Sequence, residues 1–151
     1  MKALIQRVTE AQVTSADDPT GPFEEVGRID RGLVVFVGVT HDDDGTKATK
    51  LAERTWRLRL FDDHEGVPNL SAEDLGAGML VVSQFTLYAD TRKGRRPSYL
   101  GAARPDAAEP LVQTFADRLV ELGATVATGR FRKPMRVHLV NDGPWTIELE
   151  A

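Results

Sequence analysis

The chain has 151 residues, enough for one domain that buries about two thirds of the surface its unfolded form exposes. Its 41% hydrophobic and 28% charged residues are ordinary for a globular protein and exclude a disordered chain, while the lack of cysteine excludes a disulfide framework, a thiolate nucleophile and a cysteine-bound zinc. A formal net charge of -4 excludes a surface coated in positive charge for nonspecific nucleic-acid binding. No apolar run approaches a membrane span, and Met1-Lys2-Ala3 leads into a strand pattern and not a signal peptide, so the expectation is a cytoplasmic protein with no membrane partner.

In chain order, Ala3 to Val8 and Ala11 to Ser15 predict two short strands around a tight turn at Thr9-Glu10. Asp17 to Glu25, with Pro19, Gly21 and Pro22, reads as a loop. Leu33 to Val37 is continuously apolar and β-branched, the pattern of a central strand covered on both faces. The acids Asp42 to Asp44 precede a helix over Thr46 to Arg57, whose apolar positions Ala48, Leu51, Ala52 and Thr55 keep helical spacing. Met79 to Val82 predicts a second buried strand.

A second helix is predicted over Pro110 to Leu122, with Leu111, Val112, Phe115, Leu119 and Leu122 on one stripe, Pro110 in its first turn, Asp106 to Glu109 before it a separate turn or a distorted helical start, and Gly123 ending it. Ala124 to Thr128, Met135 to Val140 and Thr146 to Glu150 complete the strands. Two principal helices among about seven strands, with several connections too short for helical crossovers, predict a single α+β domain over residues 1–151. Its sheet is expected to be mixed, largely antiparallel or barrel-like.

Two segments carry chemistry. Ser83-Gln84-Phe85-Thr86-Leu87 leaves a buried strand with two hydroxyls, an amide and consecutive backbone N–H groups, a place where a polarised carbonyl is held or where hydroxyls simply satisfy a strand end. Asn141-Asp142-Gly143-Pro144 is a rigid backbone corner or a plain turn: Gly143 permits close approach and Pro144 fixes φ. The histidines His41, His64 and His138 lie at no metal-ligand spacing, and Asp42 to Asp44 reads as a helix cap, so no metal and no cofactor is expected. There is no nucleophile elbow, Walker loop or dinucleotide fingerprint. The basic residues gather in two groups, Arg92 to Arg96 and Arg130 to Arg136, which are solvated turns or contacts to one stretch of phosphate backbone.

In this order and near these positions, the two segments resemble the signature motifs of the D-aminoacyl-tRNA deacylases, the chiral proofreading enzymes of translation. The resemblance runs from Ala3-Leu4-Ile5-Gln6-Arg7-Val8 to the closing Asn141-Asp142-Gly143-Pro144 and takes in Arg96-Pro97-Ser98 and Thr128-Gly129-Arg130-Phe131. The chain departs from the family pattern at Trp145, where a smaller aliphatic residue usually follows Gly-Pro, and at Ala16 to Glu25, a lengthened loop.

The resemblance implies a homodimer that cleaves the ester between a D-amino acid and the terminal ribose of tRNA. Phe85 and Thr86 would offer backbone N–H groups to the oxyanion. Ser83, Gln84 and Thr86 side chains would shape the pocket, with Phe131 lining it and Pro97 and Ser98 among the substrate-binding residues. The Gly143-Pro144 bond would be cis, held by Arg7, and inserted into the partner subunit's site to block an L side chain. The RNA's own 2′-OH would assist hydrolysis, with Thr86 as nucleophile the competing mechanism. Cleavage of glycyl-tRNA stays open, as does a different class of function, a noncatalytic RNA-binding or oligomerisation module.

Overall fold

Alternate residues of the central strands belong to two different cores, which explains why those strands read as unbroken apolar runs. In the computed structural model, which describes all 151 residues, β3 (Gly32–Gly38) and β6 (Gly78–Ser83) run parallel, with Leu33 opposite Met79 and Val37 opposite Ser83. Leu33, Val35, Val37, Met79 and Val81 face a large core shared with the helices, whereas Val34, Leu80 and Val82 face a smaller core with Val8, Ala11, Val13 and Ile29. Period-two alternation with both faces dry demands apolar residues at every position.

The main sheet has the order β2 (Glu24–Ile29), β1 (Lys2–Ser15), β3, β6, β7 (Val126–Thr128), with β8 (Met135–Glu150) also paired to β1. β1 runs antiparallel to β2, β3 and β8, while β7 is parallel to β6. The sheet curls until β2 returns to β7: a Cβ placed on Gly27 would lie 2.9 Å from the Thr128 carbonyl. The smaller core fills the interior of this nearly closed barrel. The predicted α+β class and mixed, barrel-like sheet are therefore observed.

Helices α1 (Gly45–Trp56) and α3 (Pro105–Glu121) cover the outer face, and a one-turn helix α2 (Ala72–Leu75) follows a small hairpin of β4 (Arg59–Asp62) and β5 (Pro68–Ser71). Asp44 caps α1, its side chain accepting from Lys47 N at 2.9 Å, as the acidic run predicts. Ala48, Leu51, Ala52 and Thr55 are all buried. None of these helices is long and apolar enough to cross a membrane.

Three expectations are corrected. The turn at Thr9-Glu10 does not form; β1 continues through it, with register irregularities against β8 between Gln6 and Glu10. Val8, three residues after Ile5, faces the barrel core by ordinary alternation, and a β-bulge between Val8 and Glu10 shifts the alternation by one so that Ala11 and Val13 face that core too, without reversing the chain. Met135 to Val140 and Thr146 to Glu150 are likewise one strand, β8, interrupted only by the Gly143-Pro144 corner. Helix α3 begins at Pro105, not Pro110. Pro105 occupies the first helical turn, where its missing N–H costs nothing, and Pro110 sits exposed inside the helix. Packing of the half-buried Ala108, Leu111 and Val112 and the fully buried Phe115 along one stripe sustains helix across Pro110. Gly123, at φ +95°, ends α3 as predicted. The β4–β5 hairpin and α2 were not anticipated.

Candidate active site

A cleft of about 450 Å³ opens where β6 ends. Ser83 is the last residue of that strand, Gln84 turns the chain, and Phe85–Tyr88 form a single 3₁₀ turn. Gln84 N donates to the Val37 carbonyl at 2.7 Å, tying the turn to β3. The tie requires Gly38: a Cβ there would meet Gln84 O at 3.1 Å, Leu87 Cβ at 3.1 Å and Tyr88 Cδ2 at 3.3 Å. No side chain caps the turn, and the N–H groups of Phe85 and Thr86, being its first two, have no partner within it.

Ser83, Gln84, Phe85 and Phe131 all line this cleft, so two motifs 46 or more residues apart in sequence meet in space. Thr86 stands behind them. Its hydroxyl accepts from Gln84 Nε2 and it is not among the lining residues. The remaining wall consists of residues that sequence reasoning missed, including Val37 and Val39 from β3 and its exit, Ala102 and Ala103, and Pro105, Ala108 and Val112 from α3. A faint signal was present in the helical spacing of Ala108 and Val112. Tyr99 completes the rim, edge-on to Phe85 with ring centroids 5.1 Å apart, while Phe85 itself is 58% exposed.

Electrostatically the cleft is plain. Its lining contains no carboxylate and no histidine, and Arg132, held at φ +60°, is its one charged side chain. His64 and His138 are exposed, and the ring of His41 contacts the Leu100 carbonyl at 2.7 Å. No three His, Cys, Asp or Glu side chains converge as metal ligands would. Behind the 3₁₀ turn the Tyr88 hydroxyl is buried without a hydrogen-bond partner, and burial, with the charges of Asp43, Glu150 and Glu148, pushes its ionisation well above the ordinary phenol range.

Pro97 and Ser98 do not line the cleft. Pro97 is exposed, and Ser98 exchanges backbone hydrogen bonds with Asp90 at 2.7 and 2.9 Å. Gly143, Pro144 and Arg7 are also elsewhere. Ala3 pairs with Val37, which pairs with Ser83, whereas Arg7 pairs with Leu33, which pairs with Met79. The Arg7 end of the sheet is thus four residues from the cleft, roughly 13 Å along the strands.

There the Gly143-Pro144 bond is cis, and both residues are exposed. Arg7, 4% exposed, holds the corner: Nε lies 2.9 Å from Asp142 Oδ2, and Nη1 donates to Leu60 O at 2.6 Å and lies 3.3 Å from Asp62 Oδ2. Asn141 Nδ2 donates to Arg7 O at 2.9 Å and to Trp145 O at 3.3 Å. The Trp145 ring packs inward against the larger core, with the Arg7 guanidinium 5.4 Å from its centre. The unusual residue therefore buttresses the corner from behind.

Comparison with known proteins agrees along the whole chain. The family described as D-Tyr-tRNA(Tyr) deacylase matches residues 4–150. A protein of Nocardia farcinica named D-aminoacyl-tRNA deacylase is 57% identical over 154 residues, covering 100% of both chains. One of Mycolicibacterium gilvum with the same name is 53% identical over 99% of each. Among solved structures, one described as c-Myc DNA Unwinding Element Binding Protein superposes with a TM-score of 0.89 at 34% identity, covering 100% of this chain and 99% of that one. Another, described as a probable eukaryotic D-amino acid tRNA deacylase, shares the fold with a TM-score of 0.84 at 15% identity, over 99% of this chain and 98% of that one. The chain belongs to the D-Tyr-tRNA(Tyr) deacylase family.

Proposed function

We propose that the cleft at the end of β6 is where the chain hydrolyses the ester of a D-aminoacyl-tRNA, releasing a free D-amino acid and tRNA. Family membership supplies the reaction, and one observation carries the assignment of the site: Ser83, Gln84, Phe85 and Phe131 line a single cleft in which the strand hands over to an uncapped 3₁₀ turn. The Phe85 and Thr86 N–H groups stabilise the oxyanion that develops on the ester carbonyl, a contribution of about 3 kcal/mol for one well-aligned donor. Water adds to the carbonyl carbon, the ester C–O bond breaks, and the ribose oxygen leaves with a proton. With no carboxylate or histidine in the lining, the proton carrier that fits is the neighbouring 2′-OH of the RNA. Thr86 is a poor nucleophile here, since its hydroxyl is engaged by Gln84 and stands outside the lining.

Selection for the D-enantiomer needs an obstacle where an L side chain would project. In this reading the obstacle is the Gly143-Pro144 corner of a second copy of the chain. Three facts support it: the corner is exposed, it is clamped by Arg7 and Asn141, and it lies roughly 13 Å along the sheet from its own cleft. A twofold pair would bring each corner to the other's cleft. The test compares hydrolysis of D- and L-aminoacyl-tRNA and follows sedimentation of the protein. Rapid cleavage of the D form by a dimer is expected; equal rates on both enantiomers, or full selectivity in a monomer, would refute the gate.

A further inference from the structure

The rim of the cleft continues into a strongly basic loop that the chemistry above leaves unused. Residues 91–97 are all exposed and include Arg92, Lys93, Arg95 and Arg96. The loop is not loose at its base, because Asp90 N donates to Ser98 O at 2.7 Å and Ser98 N donates back to Asp90 O at 2.9 Å. Arg92 folds onto Asp90, with hydrogen bonds of 2.9 and 2.7 Å to the two carboxylate oxygens. Lys93, Arg95 and Arg96 make no ion pair and no side-chain hydrogen bond within the chain. The residue after Ser98 is Tyr99, which packs on Phe85 in the cleft rim. At about 3.5 Å per residue, the three unpaired cations lie within roughly 20 Å of that rim.

The second basic group is differently disposed. Lys133 pairs with Asp17 at 3.0 Å, the Arg136 guanidinium sits 3.9 Å from the centre of the Phe23 ring, and Arg132 is part of the cleft wall. Two of those four charges, Lys133 and Arg136, are thus engaged by the fold and Arg130 stands exposed beside Phe131, whereas the 92–96 loop presents three cations without partners on one short segment. An ester seated in the cleft is the end of a long polyanion, and a chain of net charge -4 repels that polyanion at a distance. The compensating charge must then be local, within about one Debye length of 8 Å from the phosphates.

We propose that the 92–96 loop is the RNA-phosphate-binding element of this site, with Lys93, Arg95 and Arg96 taking phosphates of the tRNA acceptor stem. It supplies affinity for the RNA body and takes no part in the chemistry at the ester. This rests on the deacylase reading for the identity of the polyanion.

The experiment compares the parent with the triple variant Lys93→Ala, Arg95→Ala, Arg96→Ala and with the charge-preserving Lys93→Arg, Arg95→Lys, Arg96→Lys. Three quantities are measured: affinity for uncharged tRNA between 50 and 200 mM salt, kcat/KM on D-aminoacyl-tRNA, and kcat/KM on a D-aminoacyl-adenosine ester, which has no phosphate. Removal of three phosphate contacts is expected to weaken tRNA binding by about tenfold or more and to reduce the slope of log affinity against log salt by about two to three. The kcat/KM on tRNA falls in parallel, the loss is confined to the phosphate-bearing substrate, and the charge-preserving variant restores affinity and slope. Unchanged tRNA affinity and slope would overturn the proposal, and is the result expected if these cations serve an acidic protein instead. Equal loss on both esters would also overturn it, because the loop would then act through the shape of the cleft. A parent that cleaves neither ester, yet loses tRNA affinity in the triple variant, would refute the deacylase reading and leave the loop assignment standing.

Discussion

Arg7 and Asp142 are joined twice, through Nε to the carboxylate at 2.9 Å and through Nε to the backbone carbonyl at 3.3 Å, so a buried guanidinium fixes both the side chain and the main chain of the residue preceding Gly143. The other end of the same group is held by Leu60 O and Asp62, in the β4–β5 hairpin. One side chain thus locks an exposed corner to the β4–β5 hairpin.

Arg7→Ala should leave the buried Leu60 carbonyl and Asp142 without their donor and cost about 2 to 4 kcal/mol of stability. The freed corner should reject L-aminoacyl-tRNA less well, by tenfold or more in the ratio of D to L rates. Urea unfolding and paired single-turnover assays read the two effects. Arg7→Lys, which has no planar fork, should recover only part of either.

Trp145→Val should destabilise the chain by about 1 to 2 kcal/mol through loss of the ring under Arg7 and of its cover over the larger core. Its effect on the D to L ratio should be smaller than that of Arg7→Ala, because the ring lies behind the corner. A larger loss of selectivity than Arg7→Ala would show that the indole shapes the gate directly.

Thr86→Ala should retain deacylation within about tenfold of the parent, since the backbone N–H survives and only the bond from Gln84 is lost. Rapid-quench single turnovers with D-aminoacyl-tRNA provide the check. A loss beyond about a thousandfold in a folded, tRNA-binding variant would restore the nucleophile.

Gly38→Ala should push the 3₁₀ turn away from β3, because the added methyl would stand 3.1 Å from both Gln84 O and Leu87 Cβ. We expect a stability loss of about 1 to 3 kcal/mol and a fall in kcat of tenfold or more. Thermal unfolding alongside kcat separates the two. Unaltered kcat would mean that the position of Phe85 and Thr86 does not control the reaction.

Tyr88→Phe removes a buried hydroxyl that has no partner and should stabilise the chain by up to about 1 kcal/mol near pH 7. Burial first, and neighbouring acids second, raise the folded ionisation of Tyr88 above its unfolded value of 10.0. A raised value favours the neutral form in the folded state, so this contribution is fully present below pH 10 and is lost as pH rises from there through the folded value. The parent should therefore show an extra alkaline dependence of stability above pH 10 that the variant lacks, measurable by urea midpoints from pH 8 to 11.

The sequence alone determined the features whose causes lie within a few residues of one another. The two-sided apolar runs Leu33 to Val37 and Met79 to Val82, the Asp44 cap, the stripe of α1 and the stop at Gly123 all follow from periodicity and local sterics, and each is observed. The motifs also carried the family. What only the tertiary structure decided is non-local. A polar pair such as Thr9-Glu10 suits a turn and a bulge equally, and the choice fell to the bulge because β1 must keep Val8 and Ala11, which plain alternation would put on opposite faces, in the same barrel core. Pro110 stayed helical because the packing of Leu111, Phe115 and Leu119 against the larger core outweighed the loss of one hydrogen bond. The cleft draws Val37, Ser83, Tyr99, Ala108 and Phe131 from five separate segments, and strand register sets the corner at Arg7 four residues away from it. Those distances depend on which strands pair and in which register, and that is settled by closing two cores at once.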